Sequence, residues 1–314
     1  MFIFKCLKFK YLTIHQDMIT YDKVTDIFCI VDEFCKNFEK NTKNFIIGKA
    51  SRRPATMSNS EIISILLLFQ ISGFKCFKHY YIFYVQRHMN KDFPKTVSYN
   101  RFVELSQTVI MPLTMFLKTC CSGSCTGISF VDSTPIRVCK NKRIKANKVF
   151  KGTAEIGKST MGWFYGFKLH LIINDRGEIL NFLISQGNMD DREPLKKESF
   201  LKKIFGKLFG DKGYISKQLF EILFIDGIHL VTGIRNKMKN SLMSMNDKIM
   251  LRKRSVIVTV NDELKNICQI EHSRHRSFIN FIVNILAGLA AYSFFPKKPS
   301  IKYQTVKTNQ LYAF

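Results

Sequence analysis

The chain has 314 residues, room for one large domain or two ordinary ones, and its 46% apolar content is enough for a packed core. Its 49 Lys plus Arg against 24 Asp plus Glu give a formal net charge of +25, which suits a polyanion such as DNA or else reflects a lysine-rich composition bias. Nine cysteines, odd in number and irregular in spacing, exclude a disulfide framework and read as reduced cytosolic thiols; Cys120, Cys121 and Cys125 lack a second Cys or His pair at zinc-finger spacing.

Residues 1–17 are apolar but broken by Lys5, Lys8 and Lys10, with no small-residue cleavage site after them. They are predicted to be an N-terminal extension, with Met18 as an equally good start. Residues 18–118 read as helical. Val24, Ile27, Val31, Phe34 and Phe38 recur at helical spacing. One of Thr56, Ser58 and Ser60 is expected to cap a core helix over the apolar run that begins at Ile62. A third helix is predicted over His79–Met89, and a fourth from Ser98 through Arg101 to Leu117. This basic helical region either binds DNA or supports the domain that follows.

Residues 119–127 form a small-residue linker, and a second domain is predicted over 128–314. It opens with a short strand, Ile128 to Asp132, that ends in an acid. Residues 137–151 carry seven basic residues and no acid, among them Lys142 and Arg143. A hairpin is predicted from Trp163–Asn174, a turn at Asp175-Arg176-Gly177, and a return over Glu178–Gln186. A helix over Asp190–Ile204, a second acid-terminated strand over Lys207–Asp211, a helix over Lys217–Asp226 and a strand over Ile228–Thr232 follow. A long helix is then predicted over Asp247–Cys268. Phe278–Phe295 runs without a charge at the lower limit for a membrane span. Its Asn280, Asn284 and Ser293 favour a buried C-terminal helix. The order strand, hairpin, helix, strand, helix, strand, helix indicates an α/β class: a mixed sheet with flanking helices, plus the helical N-terminal region.

Asp132 and Asp211 both close apolar strands, where an open α/β sheet places its site. Two carboxylates brought together repel unless a divalent cation lies between them. Mg2+ takes carboxylate oxygen, and two ions about 4 Å apart can drive phosphodiester chemistry. Either acid taken alone could simply cap a strand or turn. His170 alternates with apolar residues on a face near Lys168, so it either meets a substrate or sits in the core. Trp163 stacks a base or packs in the hairpin. His272, Arg274, His275 and Arg276 form a basic cluster before the last helix.

The stretches Phe130–Ile136, Gly162–Leu171, Gly210–Tyr214, Leu251–Ile257 and Ile270–Ser277 carry a resemblance. From Met18 to its C-terminus the chain resembles bacterial insertion-sequence transposases of the DDE type, close to the group IS nine-eight-two. The resemblance implies a ribonuclease H-like fold, an Asp-Asp-Glu set holding two Mg2+ ions (with Mn2+ as a substitute), and DNA end cleavage with strand transfer. It implies double-stranded DNA as partner, both terminal inverted repeats and target, a homo-oligomer assembled on that DNA, and a cytoplasmic, nucleoid-associated protein. Catalytic and metal roles carry over to Asp132 and Asp211. The family's helix signature is Tyr-x2-Arg-x3-Glu-x6-Lys. Here Arg254 and Lys265 match the Arg and Lys, Leu251 stands at the Tyr position and Val258 at the Glu position. Arg254 and Lys265, with Lys168, Lys142 and Arg143, are the expected DNA contacts, alongside the basic surfaces of 137–151 and 235–254. Asp262, Glu263 and Glu271 are the acids available as substitutes for the missing glutamate. A degenerate, catalytically inactive DNA-binding remnant is the alternative; a hydrolytic nuclease of the same fold and a membrane protein are more distant ones.

Overall fold

The computed structural model describes residues 20–43, 55–234, 242–271, 275–302 and 311–313. The proposed extension over residues 1–17 lies outside them. The chain divides into two compact units. One comprises residues 1–120 with 264–270 and 275–294; the other comprises 121–263 with 271–274 and 295–314.

The first unit is helical. Helix α1 (Tyr21–Thr42) is capped by the Thr20 side chain, which accepts from Lys23 N, and it buries Val24, Ile27, Val31 and Cys35. Ser58 is the cap of α2 (Asn59–Ile71). Its hydroxyl accepts from Glu61 N, while the Glu61 carboxylate accepts from Ser58 N, so two otherwise orphaned donors are satisfied together. A helical segment over residues 77–88, here α3, has a π-helical middle, Tyr80–Val85. The predicted fourth helix is two: α4 (Tyr99–Thr108), capped by Ser98, and α5 (Ile110–Thr119). Pro112 accounts for the break, because its ring has no N–H to donate and clashes with the carbonyl four residues back.

The run Phe278–Phe295 forms α10 (Phe278–Ser293) and belongs to this helical unit, not to the sheet that precedes it. It packs on α2 and α5. Both α10 and α2 are apolar almost all round, so each needs apolar neighbours on every side. Between them Gln70 Nε2 donates to Asn284 Oδ1 at 2.9 Å, one buried amide to another. Among the described residues no helix is long and apolar enough to cross a membrane.

The second unit is a six-stranded mixed sheet with helices. Its strands are β1 (Ile128–Cys139), β2 (Glu155–Ser159), β3 (Gly162–Asn174), β4 (Ile179–Gln186), β5 (Gly206–Gly210) and β6 (Ile228–Thr232). The order is β2-β3-β1-β5-β6, with β4 sharing the outer edge of β3 with β2. β1 runs antiparallel to β3 and parallel to β5, and β5 runs parallel to β6. Helix α7 (Lys217–Ile225) is the crossover that a parallel pair requires. Val131, Leu208 and Leu230 point to one sheet face, where Leu219 and Leu223 of α7 cover them together with Phe200 of the one-turn helix α6 (Glu198–Leu201).

The expected helix over Asp190–Ile204 is only this turn and a 3-10 segment, Glu193–Lys196. Pro194 disfavours helical backbone at Glu193, and Asp190 binds Arg192 locally instead of starting a helix. The long helix predicted over Asp247–Cys268 also divides, into α8 (Met245–Lys253) and α9 (Ser255–Asn266), with Arg254 at the joint. A two-stranded ribbon, β7 (Leu242–Ser244) with β8 (Leu311–Ala313), completes the unit.

Candidate functional site

Asp132 lies within β1, not at its end. The strand continues to Cys139 as the partner of β3, but its ladder with β5 stops at the pair Phe130–Phe209. Asp132 and Asp211 each lie two residues beyond that last pair, Asp132 still in β1 and Asp211 just after β5. Residues two apart in a strand share a face. Asp132 therefore projects from the face on which the Phe130 and Phe209 rings stack, 5.5 Å between centroids, and the charge of Asp211 reaches it. Asp211 is fixed by its own turn: Oδ1 accepts from Gly213 N at 2.8 Å. A Cβ at position 213 would come to 2.9 Å from that oxygen, so a side chain there would push the Asp211 carboxylate aside.

Helix α9 and its preceding joint bring two groups to Asp132. Asn261 Nδ2 donates to Asp132 Oδ2 at 3.1 Å, and Arg254 Nη1 stands 3.7 Å from Asp132 Oδ1. Asn261 is 5% exposed, and its Oδ1 is buried with no hydrogen-bond partner. Burial pushes the Asp132 carboxyl up to about 6, against the pull of Arg254 and with a further push from the Asp211 charge. The influence of Asp211 is the electrostatic sign that the two acids share one site.

Val258, one turn before Asn261 on α9, is half exposed. Of the three substitute acids, Asp262 is exposed. Glu263 is partly buried, which raises its carboxyl, with a smaller push from Asp262. Glu271 is held elsewhere: its Oε1 accepts from Arg137 N at 3.2 Å. Lys265 lies in the last turn of α9.

The residue that sequence reasoning passed over is Asn261. A search confined to acids skipped an amide, and Asp262 drew attention at eight residues from Arg254. Asn261, at seven, completes the i, i+4, i+7 stripe with Arg254 and Val258.

Lys168 points to the sheet face opposite Asp132, since its parity in β3 differs from that of Leu171, the register partner of Asp132. Its Nζ donates to Met189 O at 2.7 Å and pairs with Asp191 at 2.9 Å. His170 is a core histidine: Nε2 shares a 2.8 Å hydrogen bond with Ser185 Oγ, and burial lowers its pKa to about 4. Trp163 does not pack inside the hairpin. It is 61% exposed, with Lys158 Nζ over its ring at 5.7 Å, beside an open cleft that Lys168, Asp191, Arg192 and Gly213 also line. Lys142 and Arg143 are exposed on the 3-10 turn Asn141–Arg143, and Lys140, Lys145, Lys148 and Lys151 around them are exposed as well. His272 and Arg274, and residues 235–241 of the second basic surface, lie outside the described residues.

Among the described residues there is no group of three or more His, Cys, Asp or Glu side chains suited to a metal ion. The potential ligands are nevertheless oxygen: the Asp132 and Asp211 carboxylates and the buried Asn261 amide, whose oxygen has no partner while its nitrogen donates to Asp132. That chemistry fits a hard divalent cation and does not fit zinc, which favours Cys and His.

A comparison with curated proteins gives no match. The model of the transposase DDE domain family matches residues 122–278, half of the chain, a span that takes in β1, β5, both aspartates and all of α9, and the chain therefore belongs to the DDE transposases.

Proposed function

We propose that the chain is the transposase of a bacterial insertion sequence of the IS nine-eight-two type, acting in the cytoplasm on the element's terminal inverted repeats and on target DNA. The observation that carries this reading is the matched DDE span, which holds both Asp132 and Asp211, each two residues past the last pair of β1 with β5. A ribonuclease H-like catalytic domain is supported by the mixed sheet, in which β1 has an antiparallel hairpin on one side and two parallel strands on the other. The helical unit serves as the DNA-binding or supporting part.

A pair of divalent cations, Mg2+ or Mn2+, would supply Lewis-acid charge and a bound water of lowered pKa. Asp132 and Asp211 would hold them. At the element end, water attacks the phosphorus, the P–O3′ bond breaks, and the 3′ oxygen leaves as a hydroxyl after taking a proton. That hydroxyl then attacks a target phosphorus in line, loses its proton and displaces the target's own 3′ oxygen. Arg254, already beside Asp132, and Lys265 offer positive charge to the scissile phosphate, and the loop of Lys142 and Arg143 offers it to the flanking backbone.

With valine at position 258 the carboxylate count falls from three to two, which lowers cleavage and strand transfer in this copy. A second reading, a catalytically inactive DNA-binding remnant, is favoured by the same residue. The test is Mn2+ soaked into crystals of the DNA-bound protein, together with Mn2+ titration of Asp132→Ala. Density between Asp132 and Asp211, and loss of binding in the variant, are expected. Metal bound away from both aspartates would overturn the assignment.

A further inference from the structure

We propose that Asn261 supplies the third side-chain oxygen of the cation site, in place of an acid; the inference rests on the assignment of Asp132 and Asp211 as ligands. Asn261 is a buried amide on a face of α9 that is otherwise apolar. Its neighbours on the buried face of α9 are Val256, Ile257, Val260 and Leu264. A buried amide with an unsatisfied oxygen is costly, of the order of 1–3 kcal/mol for such groups in general. A cation in the site would give that oxygen a partner, at the expense of the hydrogen bond that the nitrogen makes to Asp132.

The geometry points to that partner. The amide nitrogen stands 3.1 Å from Asp132 Oδ2. A half-turn about the terminal side-chain torsion exchanges Nδ2 and Oδ1, two groups of nearly equal size, within the same envelope. The oxygen would then stand about where the nitrogen does now. Two adjacent oxygens on an octahedral Mg2+ with bonds of about 2.05 Å are about 2.9 Å apart. The observed spacing is therefore one that two ligands of one ion can adopt. Without a cation the amide turns its donor to the carboxylate, which is the favourable orientation toward negative charge. With a cation it turns its acceptor inward. Asn261 would thus serve both states of the site without moving its backbone.

An amide oxygen carries no net charge, so a site of two carboxylates and one amide holds its cation less tightly than one of three carboxylates. This separates ligation from a purely supporting role. If Asn261 only donated a hydrogen bond to Asp132, Asn261→Asp would remove the donor, set two carboxylates against each other and weaken the site. If it ligates, the same change adds a charged oxygen to the ion.

The experiment is Mn2+ titration of the full chain by calorimetry, comparing the parent protein with Asn261→Asp, Asn261→Leu and Asp132→Ala, each checked by circular dichroism. Asn261→Asp is expected to tighten Mn2+ about tenfold or more, and Asn261→Leu to weaken it by about 10–100-fold, the range for lost ligand-sphere partners. A crystal soaked in Mn2+ should show the ion bonded to Asn261 Oδ1. Weaker binding in Asn261→Asp, or an ion on Asp132 and Asp211 with Asn261 still donating to Asp132, overturns the inference and leaves the aspartate pair standing. Unchanged binding in Asp132→Ala overturns both. Should Asn261→Leu fail to fold, the near-isosteric Asn261→Asp and the soaked crystal decide the matter.

Discussion

Asp132, within β1, and Asp211, the residue after β5, each lie two residues past one ring of the Phe130–Phe209 stack. Two like charges brought near each other cost stability, offset at Asp132 by the Arg254 guanidinium, so the site has a thermodynamic signature in the metal-free protein.

That signature is a stability that depends on Asp132. Its folded pKa, about 6, is raised above the ordinary 3.8, chiefly by burial. The folded state therefore binds the proton more tightly, and this favourable contribution is full below about pH 4 and lost as pH rises through 6. Asp132→Asn should stabilise the protein in EDTA at pH 7.5 by roughly 1–3 kcal/mol, less whatever the Arg254 ion pair contributes. The gain should vanish near pH 4. Urea unfolding at both pH values measures it, and an Asn variant no more stable than its parent at pH 7.5 would refute the burial argument.

His170 acts with the opposite sign over nearly the same window. Its folded pKa, about 4, is depressed from 6.5 by burial. The unfolded chain takes up the proton first, so stability is lost as pH falls from about 6.5 toward 4. The two contributions offset each other in the parent protein and are exposed singly in variants. His170→Gln should flatten the acid-side loss by up to about 3 kcal/mol at pH 4, after a constant cost of roughly 1 kcal/mol for the altered bond to Ser185. An unfolding free energy whose slope between pH 4 and 6.5 is the same in both proteins would contradict this.

The basic loop should act through phosphates alone. Lys142 and Arg143 are exposed and belong to a turn that packs little. Replacing both by glutamine should leave the fold intact and reduce the slope of log affinity against log salt by roughly 1.8, at about 0.9 per phosphate contact. Lys168→Ala should leave that slope unchanged, because its charge is already paired with Asp191, and should lower stability instead. Fluorescence anisotropy on duplex DNA over a salt series reads both. An unchanged slope in the double variant would remove the loop from the DNA surface.

What the sequence made legible is the local chemistry. A cap among Thr56, Ser58 and Ser60 is legible because small hydroxyl residues precede an apolar run, and the structure makes it Ser58; Ile228–Thr232 reads as a strand because a short apolar run is bounded by turns. Both aspartates were visible as acids closing apolar runs. Three features were not visible, each for a physical reason. Asn261 is placed by the tertiary docking of α9, which no local pattern encodes. The break at Arg254 has neither Pro nor Gly to mark it. Helix α10 is apolar all round, so its composition says that it is buried but not in which unit.

The last prediction concerns Val258. The side chain is half exposed and lies one turn from Asn261, so a longer polar residue fits there without displacing core. Glutamate is also the better helix former by a few tenths of a kcal/mol. A valine cannot ligate Mg2+, and with two carboxylates the second cation is held weakly. That cation helps to stabilise the attacking or the leaving oxygen, so a barrier several kcal/mol higher is expected in the chain as it stands. At about 1.4 kcal/mol for each factor of ten, the loss is about a thousandfold or more. Val258→Glu should recover it, and Asp132→Ala added to Val258→Glu should abolish it again. The measurement is end cleavage and strand transfer on DNA carrying the element's own terminal repeats. If Asn261 already provides a third oxygen, the parent chain should show slow cleavage that Asn261→Leu eliminates, and Val258→Glu should still raise the rate, because a charged ligand holds the second cation better than a neutral one. Full activity in the unmodified chain would show that position 258 is not where the third acid acts. Failure of the glutamate variant, with Mn2+ binding restored, would shift the lesion to Leu251, which occupies the signature tyrosine's place on α8.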